Sequence, residues 1–391
     1  SYNPRPRPPI AVLEAGDVVA RCCFSIARVT STMAGLPPAA MVLILHMPVG
    51  RLRTDPVGRL PNATTYVLAA VVGSLTLLAA LAAGTLATHR IASAREVRAE
   101  AAHPPEGQFI EVGGRRVHVL VAGAGPNLVL IHGANGSIRD FSFGLIDRLA
   151  ENYRVVAFDR PGLGWSDRTD TAHAGAFAAS SESPAEQAAV LAAAADQLGV
   201  RDPIVVGHSF GGIVALAWAL DHQAAAVVSL AGVANPWPGD LGWIYRVNGT
   251  VLGGALVVPL ITAFAPRPRV RGAIEDVFAP QRAPKGYPEH LGVDMVLRRD
   301  VFRANARQVN QLRPHVVEMA KRYGGLTLPI EILHGAEDTT VPLAIHSAPL
   351  AKRLANARLT VLQGVGHMPH HADPDATLAA IDRAARRAGL R

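Results

Sequence analysis

The sequence predicts an α/β protein, a doubly wound and mostly parallel sheet, preceded by a single hydrophobic helix. Three observations carry that prediction. Apolar, β-branched runs alternate with helical stretches through the C-terminal two-thirds of the chain. Several of those runs are continuously apolar, as parallel strands covered on both faces are. One 21-residue stretch near the N-terminus, 67–87, contains no charge.

The strand-like runs fall at 117–121, 128–131, 155–158, 204–206, 227–230, 330–333 and 359–362. Helical stretches at 184–198, 211–221, 344–355 and 375–388 lie between or after them. Strands and helices in alternation imply crossover units of a parallel sheet. From about 235 to 325 the rhythm breaks: Pro, Gly and aromatic residues are frequent and β pattern is scarce, which predicts a mostly helical insertion.

At 391 residues and 49% apolar, the chain can bury a sizeable core. Its net charge of +7 is unevenly spread. Residues 1–106 hold 10 Lys+Arg against 6 Asp+Glu, and residues 107–391 hold 28 against 25, so the larger part is only +3. It has no basic block or aromatic-interleaved basic stripe, and no nucleic-acid partner is expected. Cys22 and Cys23 are the only cysteines, which excludes a disulfide framework from the rest of the chain. Lysine occurs only at 285, 321 and 352 while Arg and Ala abound, a composition typical of a high-GC bacterial source.

Segment 1–66 is rich in Pro and Arg at its start (Pro4, Pro6, Pro8, Pro9) and is expected to be irregular. Residues 67–87 match the length needed to cross roughly 30 Å of hydrocarbon, and they exceed the apolar core of a cleaved signal peptide. The expectation is a single-pass anchor in a bacterial inner membrane. Arg51, Arg53 and Arg59 on one side balance Arg90, Arg95 and Arg98 on the other, so the orientation is open. A polar linker at 89–106 would then lead to a catalytic domain over 107–391.

The strongest chemical signal is I-V-V-G-H-S-F-G-G, residues 204–212. It is G-x-S-x-G between an apolar strand and a helix, where Gly207 and Gly211 permit the sharp turn that holds a serine out at the sheet's carboxyl edge. Ser209 is the candidate nucleophile. A serine hydroxyl reacts once a base takes its proton. His367 follows the last strand in G-V-G-H-M-P-H-H and is the candidate base, with His370 and His371 as nearby rivals. The imidazole needs an acid to fix its tautomer, and H-G-A-E-D after the strand 330–333 offers Asp338, with Glu337 as runner-up. An oxyanion would need preorganised N–H donors. The backbone of Phe210 is one candidate. Ala134, or its neighbour Asn135, in H-G-A-N-G (132–136) is the other, with His132 bracing the loop.

H-G-A-N-G, D-R-P-G-L-G-W-S (159–166), G-H-S-F-G-G, G-A-E-D and G-V-G-H occur in this order at strand ends. With them, residues 107–388 resemble the α/β-hydrolase superfamily, in particular members with a helical cap inserted after the sixth strand. The resemblance implies an eight-stranded sheet and a Ser209–His367–Asp338 triad. It implies that the 159–166 loop, including Trp165, lines the site, with Asp159 and Arg160 fixing the loop. Epoxide hydrolases and haloalkane dehalogenases resemble this family with Asp at the nucleophile position; serine here argues against both. Within the cap, Trp237, Trp243, Tyr245, Leu256, Phe264, Phe278 and Tyr287 would form an apolar wall suited to an acyl or alkyl group. No metal-ligand spacing and no strand-borne G-x-G-x-x-G occur, so neither metal nor cofactor is expected. The expected activity is hydrolysis of a carboxylic ester through an acyl-enzyme. Its rivals are a carbon–carbon bond, thioester, lactone or amide substrate, or a ligand-binding protein that keeps the triad without turnover.

Overall fold

The computed structural model describes residues 63–391. The segment expected to be irregular, 1–66, therefore lies outside the described residues except for its last four, which already belong to a helix. That helix, α1, spans Ala63–Ala102. The stretch expected as a polar linker continues it as far as Ala102, because the change in polarity near residue 89 is not a change in backbone propensity. Ala, Arg and Glu dominate there, and no Gly or Pro intervenes between Gly84 and Pro104.

The chain divides into two units, up to Thr85 and from Leu86 onward. In the first, apolar side chains such as Leu68, Leu75 and Leu78 are exposed. The region Tyr66–Ala102 is long and apolar enough to cross a membrane by length and composition.

The second unit holds one eight-stranded sheet of order β1-β2-β4-β3-β5-β6-β7-β8. The strands are β1 Gln108–Val112, β2 Arg115–Ala122, β3 Asn127–Ile131, β4 Arg154–Phe158, β5 Ile204–His208, β6 Ala226–Leu230, β7 Ile330–Gly335 and β8 Ala357–Leu362. The first two form an antiparallel hairpin, β2 is antiparallel to β4, and the remaining pairs are parallel. The seven strand runs read from the sequence are all present. The one missed, β1, is a mostly exposed edge strand in which Gln108 and Glu111 interrupt the apolar pattern.

Register decides where the chemistry gathers. Ile131 pairs with Gly207, His208 with Leu230, and Leu230 with Leu333, so the loops after β3, β5, β6 and β7 leave from one carboxyl edge.

Alternate residues feed two apolar layers, as the two-residue period of a strand requires. Val129, Ile131, Val156 and Phe158 face the layer covered by α2 (Pro184–Gln197) and α3 (Phe210–Asp221). Leu128, Leu130, Val155 and Ala157 face the layer covered by α9 (Pro374–Arg387). Helix α2 is started by a reciprocal cap between Ser183 and Glu186, with Pro184 in its first turn. The insertion between β6 and β7 is helical, as expected. Its principal helices are α4 (Trp243–Asn248), α5 (Val258–Phe264), α6 (Arg267–Phe278), α7 (Arg299–Asn310) and α8 (Leu312–Arg322), with a π-helical turn at Gly253–Val257.

Candidate active site

Ser209 stands between β5 and α3 with φ 53° and ψ −117°, a conformation a non-glycine residue holds only where its surroundings impose it. Two glycines make the turn possible. A Cβ on Gly207 would lie 2.1 Å from the Gly211 carbonyl oxygen, and one on Gly211 would lie 2.1 Å from that of Ile131. The Ser209 hydroxyl donates to Nε2 of His367 at 2.9 Å, and Nδ1–H of His367 donates to Oδ2 of Asp338 at 2.8 Å. All three residues are buried, Ser209 7% exposed and His367 4%.

Burial alone would push the Asp338 carboxyl up. Hydrogen bonds from the His334 and His367 rings, the charge of His367 and the Val341 N–H outweigh it and hold the group well below the usual carboxylate range. The other oxygen, Oδ1, accepts from the Thr340 and Val341 N–H groups. Glu337, the alternative acid, is exposed and takes no part.

The alternative bases are elsewhere. His370 and His371 point their Nε2 atoms at Asp140, at 3.2 and 2.9 Å, and Tyr287 donates to the same carboxylate at 2.7 Å. Among the described residues, Asp140, His208 and His370 bring three ligand-type atoms within 4.8 Å of one another, a grouping that could hold a metal ion. Protein hydrogen bonds already engage both Asp140 oxygens, and Nε2 of His208 faces the His367 carbonyl at 3.0 Å.

The loop after β3 runs against Ser209, since a Cβ on Gly133 would lie 3.0 Å from the serine Cβ. Phe210 opens α3, so its N–H has no carbonyl four residues back to bond. Among the described residues, no acceptor is bonded to the Ala134 N–H. The Asn135 N–H is taken by Oδ1 of Asn305 at 2.8 Å, which favours Ala134 over Asn135 as a free donor. His132 accepts the Arg160 N–H at 2.9 Å, while the Arg160 guanidinium donates to the Gly133 carbonyl and lies 3.8 Å over the Phe210 ring. Asp159 accepts from Ile138 and Trp165 backbone N–H groups and from His118.

Several residues expected to line the site or its apolar wall are placed differently. Trp165 donates its indole N–H to the His103 carbonyl, with Arg298 over its ring, so it fastens the chain entering the unit. Trp243, Leu256 and Phe264 are 64%, 64% and 54% exposed on the outside of the cap. Phe278 and Tyr287 are buried in a small cluster with Met368, whose ring stacking includes His371. Tyr245 does approach the site: its hydroxyl accepts from the Asn135 amide at 3.3 Å. Trp237 packs against the main core, 6.1 Å from the His346 ring. Sequence reading missed His334, although it stands inside the quoted H-G-A-E-D. It also missed Asn305, whose link to the loop spans 170 residues and leaves no local pattern.

The family model described as "Alpha/beta hydrolase family" matches residues 128–380. The chain belongs to the α/β-hydrolase family. An uncharacterized protein of Mycobacterium tuberculosis is 27% identical over 314 residues, 76% of this chain and 85% of its own. Among solved structures, a bacterial membrane phospholipase A superposes with a TM-score of 0.55 at 22% identity, over 80% of this chain and 98% of its own. An esterase from Rhodococcus gives 0.55 at 22% identity, over 73% and 99%. At those identities the two structures speak for the α/β-hydrolase fold. The family acts on small molecules by hydrolysis, and its fold accounts for the sheet order and the carboxyl-edge site of this chain.

Proposed function

We propose that the protein is a membrane-anchored serine esterase working through an acyl-enzyme. The observation that carries this is the unbroken hydrogen-bond chain from the strained Ser209 through His367 to a carboxylate held ionised. Ser209 Oγ attacks the acyl carbonyl while His367 Nε2 takes its proton; the same proton then goes to the departing alcohol. A water attacks the acyl-serine with His367 again as base, releasing the acid and restoring the hydroxyl. Asp338 keeps Nδ1 protonated and stabilises the imidazolium. The Phe210 and Ala134 N–H groups receive the oxyanion, each donor of this kind being worth roughly 3–4 kcal/mol of barrier. Ester rather than amide cleavage is supported by the names of two structural neighbours, an esterase and a phospholipase. Anchoring is supported by the apolar, outward-facing side chains of residues 67–87.

Multiple-turnover release of p-nitrophenol from short esters tests the chemistry. The wild type should turn over, and Ser209→Ala and His367→Ala should each lower kcat by at least ~10⁴-fold, with the double variant little worse. Full activity in Ser209→Ala, or a single turnover in the wild type, would sink the reading. Anchoring is tested by a carbonate wash, through which the full chain should stay with the membrane pellet.

A further inference from the structure

The cap contains a helical stretch that leaves its largest apolar residues exposed. Over Gly253–Phe264 and the residue before it, Leu252, Leu256, Leu260 and Phe264 recur every fourth position and so share one face. They are 70%, 64%, 49% and 54% exposed. The opposite face buries smaller residues, Gly253, Gly254, Val258, Pro259, Thr262 and Ala263, and the Gly254 carbonyl accepts from Arg303 of α7. A surface helix ordinarily points its large apolar residues inward. Trp243, 64% exposed, and Val247 continue the apolar surface on α4 and line one shallow open cleft with Leu252 and Leu256. Contiguous exposed apolar surface of this kind marks an interaction site.

Two further observations identify what covers it. The arginines around it are charge-paired: Arg246 with Asp240, Arg267 with Asp294 and Arg271 with Glu289. An apolar face edged by arginines and a tryptophan suits the headgroup boundary of a bilayer. The face also lies beside the part of α1 that belongs to the second unit. Arg95 donates to the carbonyls of Thr262 and Ala265, which flank Phe264. Arg299 binds Ser93 and both oxygens of Glu96. At 1.5 Å per helical residue, position 87, where the uncharged run ends, is only about 12 Å along the axis from Arg95.

We propose that Leu252, Leu256, Leu260 and Phe264, with Trp243, rest in the interfacial layer of a lipid bilayer. The inference rests on the anchoring reading above and deepens it: the cap, and not the helix alone, touches lipid. Trp243 and the arginines occupy the headgroup level that such residues favour.

The test uses the full chain in vesicles of phosphatidylethanolamine and phosphatidylglycerol. Cys22 and Cys23 are changed to Ser, and a nitrobenzoxadiazole label is placed by Leu256→Cys, by Leu260→Cys, or at a control on α8 by Glu318→Cys. The expected result is loss of emission to spin-labelled lipid at 256 and 260 and loss to aqueous iodide at 318. Iodide quenching at 256 and 260 without lipid quenching would overturn the inference. Protection from both quenchers would also overturn it, in favour of a second copy or another protein on this face. A carbonate wash of the same samples separates the two readings. Release of the chain by carbonate defeats anchoring, whereas lipid quenching recorded before the wash still decides the contact of the cap.

Discussion

Two apolar helical stretches of similar length meet opposite fates in this molecule. Phe210–Asp221 is buried from Phe210 through Trp218, between the sheet and neighbouring helices. Gly253–Phe264 buries its glycines, Val258, Pro259, Thr262 and Ala263 and turns its leucines and Phe264 out. Both stretches contain adjacent glycines, and in both the glycines face protein: a Cβ on Gly212 would meet Gly232 Cα at 2.6 Å, and one on Gly254 would meet Arg307 at 3.0 Å. What differs is whether anything covers the large residues. Composition states that a helix will leave water; only its neighbours state against what.

Four changes sharpen or break this contrast. The largest effect is expected at the start of the buried helix, where the carboxylate behind Ser209 and His367 acts. Asp338→Asn should lower kcat by roughly 10³–10⁴-fold, and Glu337→Gln, on an exposed side chain, should change it little. Steady-state kinetics on a short ester would reverse the assignment if the ranking were opposite.

Next comes packing. Leu216→Ala on α3 should cost about 2–5 kcal/mol in chemical denaturation. Leu256→Ala on the cap should stay within about 0.5 kcal/mol. Equal costs would mean that the outer face of the cap is covered in the free protein and that the contrast drawn here is mistaken.

The third is a pH effect from the buried loop beside α3. Burial, and then the charge of Arg160, lowers the His132 ring from 6.5 to about 4. Below the ordinary histidine range the unfolded chain takes a proton that the folded ring refuses. Stability should therefore be lost as pH falls from about 6.5 toward 4, by about 3 kcal/mol from this residue. The dependence of unfolding free energy on pH should flatten over that window in His132→Gln; an unchanged slope would assign the effect to other groups.

The smallest effect separates two aromatic residues of α4. Tyr245→Ala, which removes the ring that reaches the Asn135 amide, should shift acyl chain-length preference in kcat/KM several-fold, since each buried methylene is worth roughly 1 kcal/mol. Trp243→Ala should leave the preference for soluble esters unchanged. A shift from Trp243 instead would return it to the pocket wall expected from sequence.

Most of the sheet was legible because burial on both faces leaves continuous apolar runs in the chain, as at Leu128–Ile131 and Ile204–Val206. The edge strand β1 escaped because one-sided burial dilutes the run. The Ser209, His367 and Asp338 positions were legible because register aligns the carboxyl ends of β5, β7 and β8, so position in the strand order stands in for position in space. The cap residues were not. Whether Trp243 faces inward or outward depends on the rotation of a short helix, and that is set by partners such as Asn305, which bonds Tyr245 from 60 residues further on. The end of α1 was obscured because the charges at Glu96 and Glu100, which look like a linker, are partners of Arg299 and Arg298.

Helix α7 binds the end of α1 through Arg299, the loop beside Ser209 through Asn305, and Arg160 through Gln308. This shared fastening has a consequence for protein engineering. A cap that only roofed a pocket could be exchanged between relatives as a cassette, carrying specificity with it. Here the cassette would take away the clamp on the Asn135 N–H and the brace behind Arg160, so a transplanted cap must bring an asparagine and a glutamine in the same helical register. Directed evolution of this enzyme should accordingly find its freedom in α4 to α6 and meet resistance in α7.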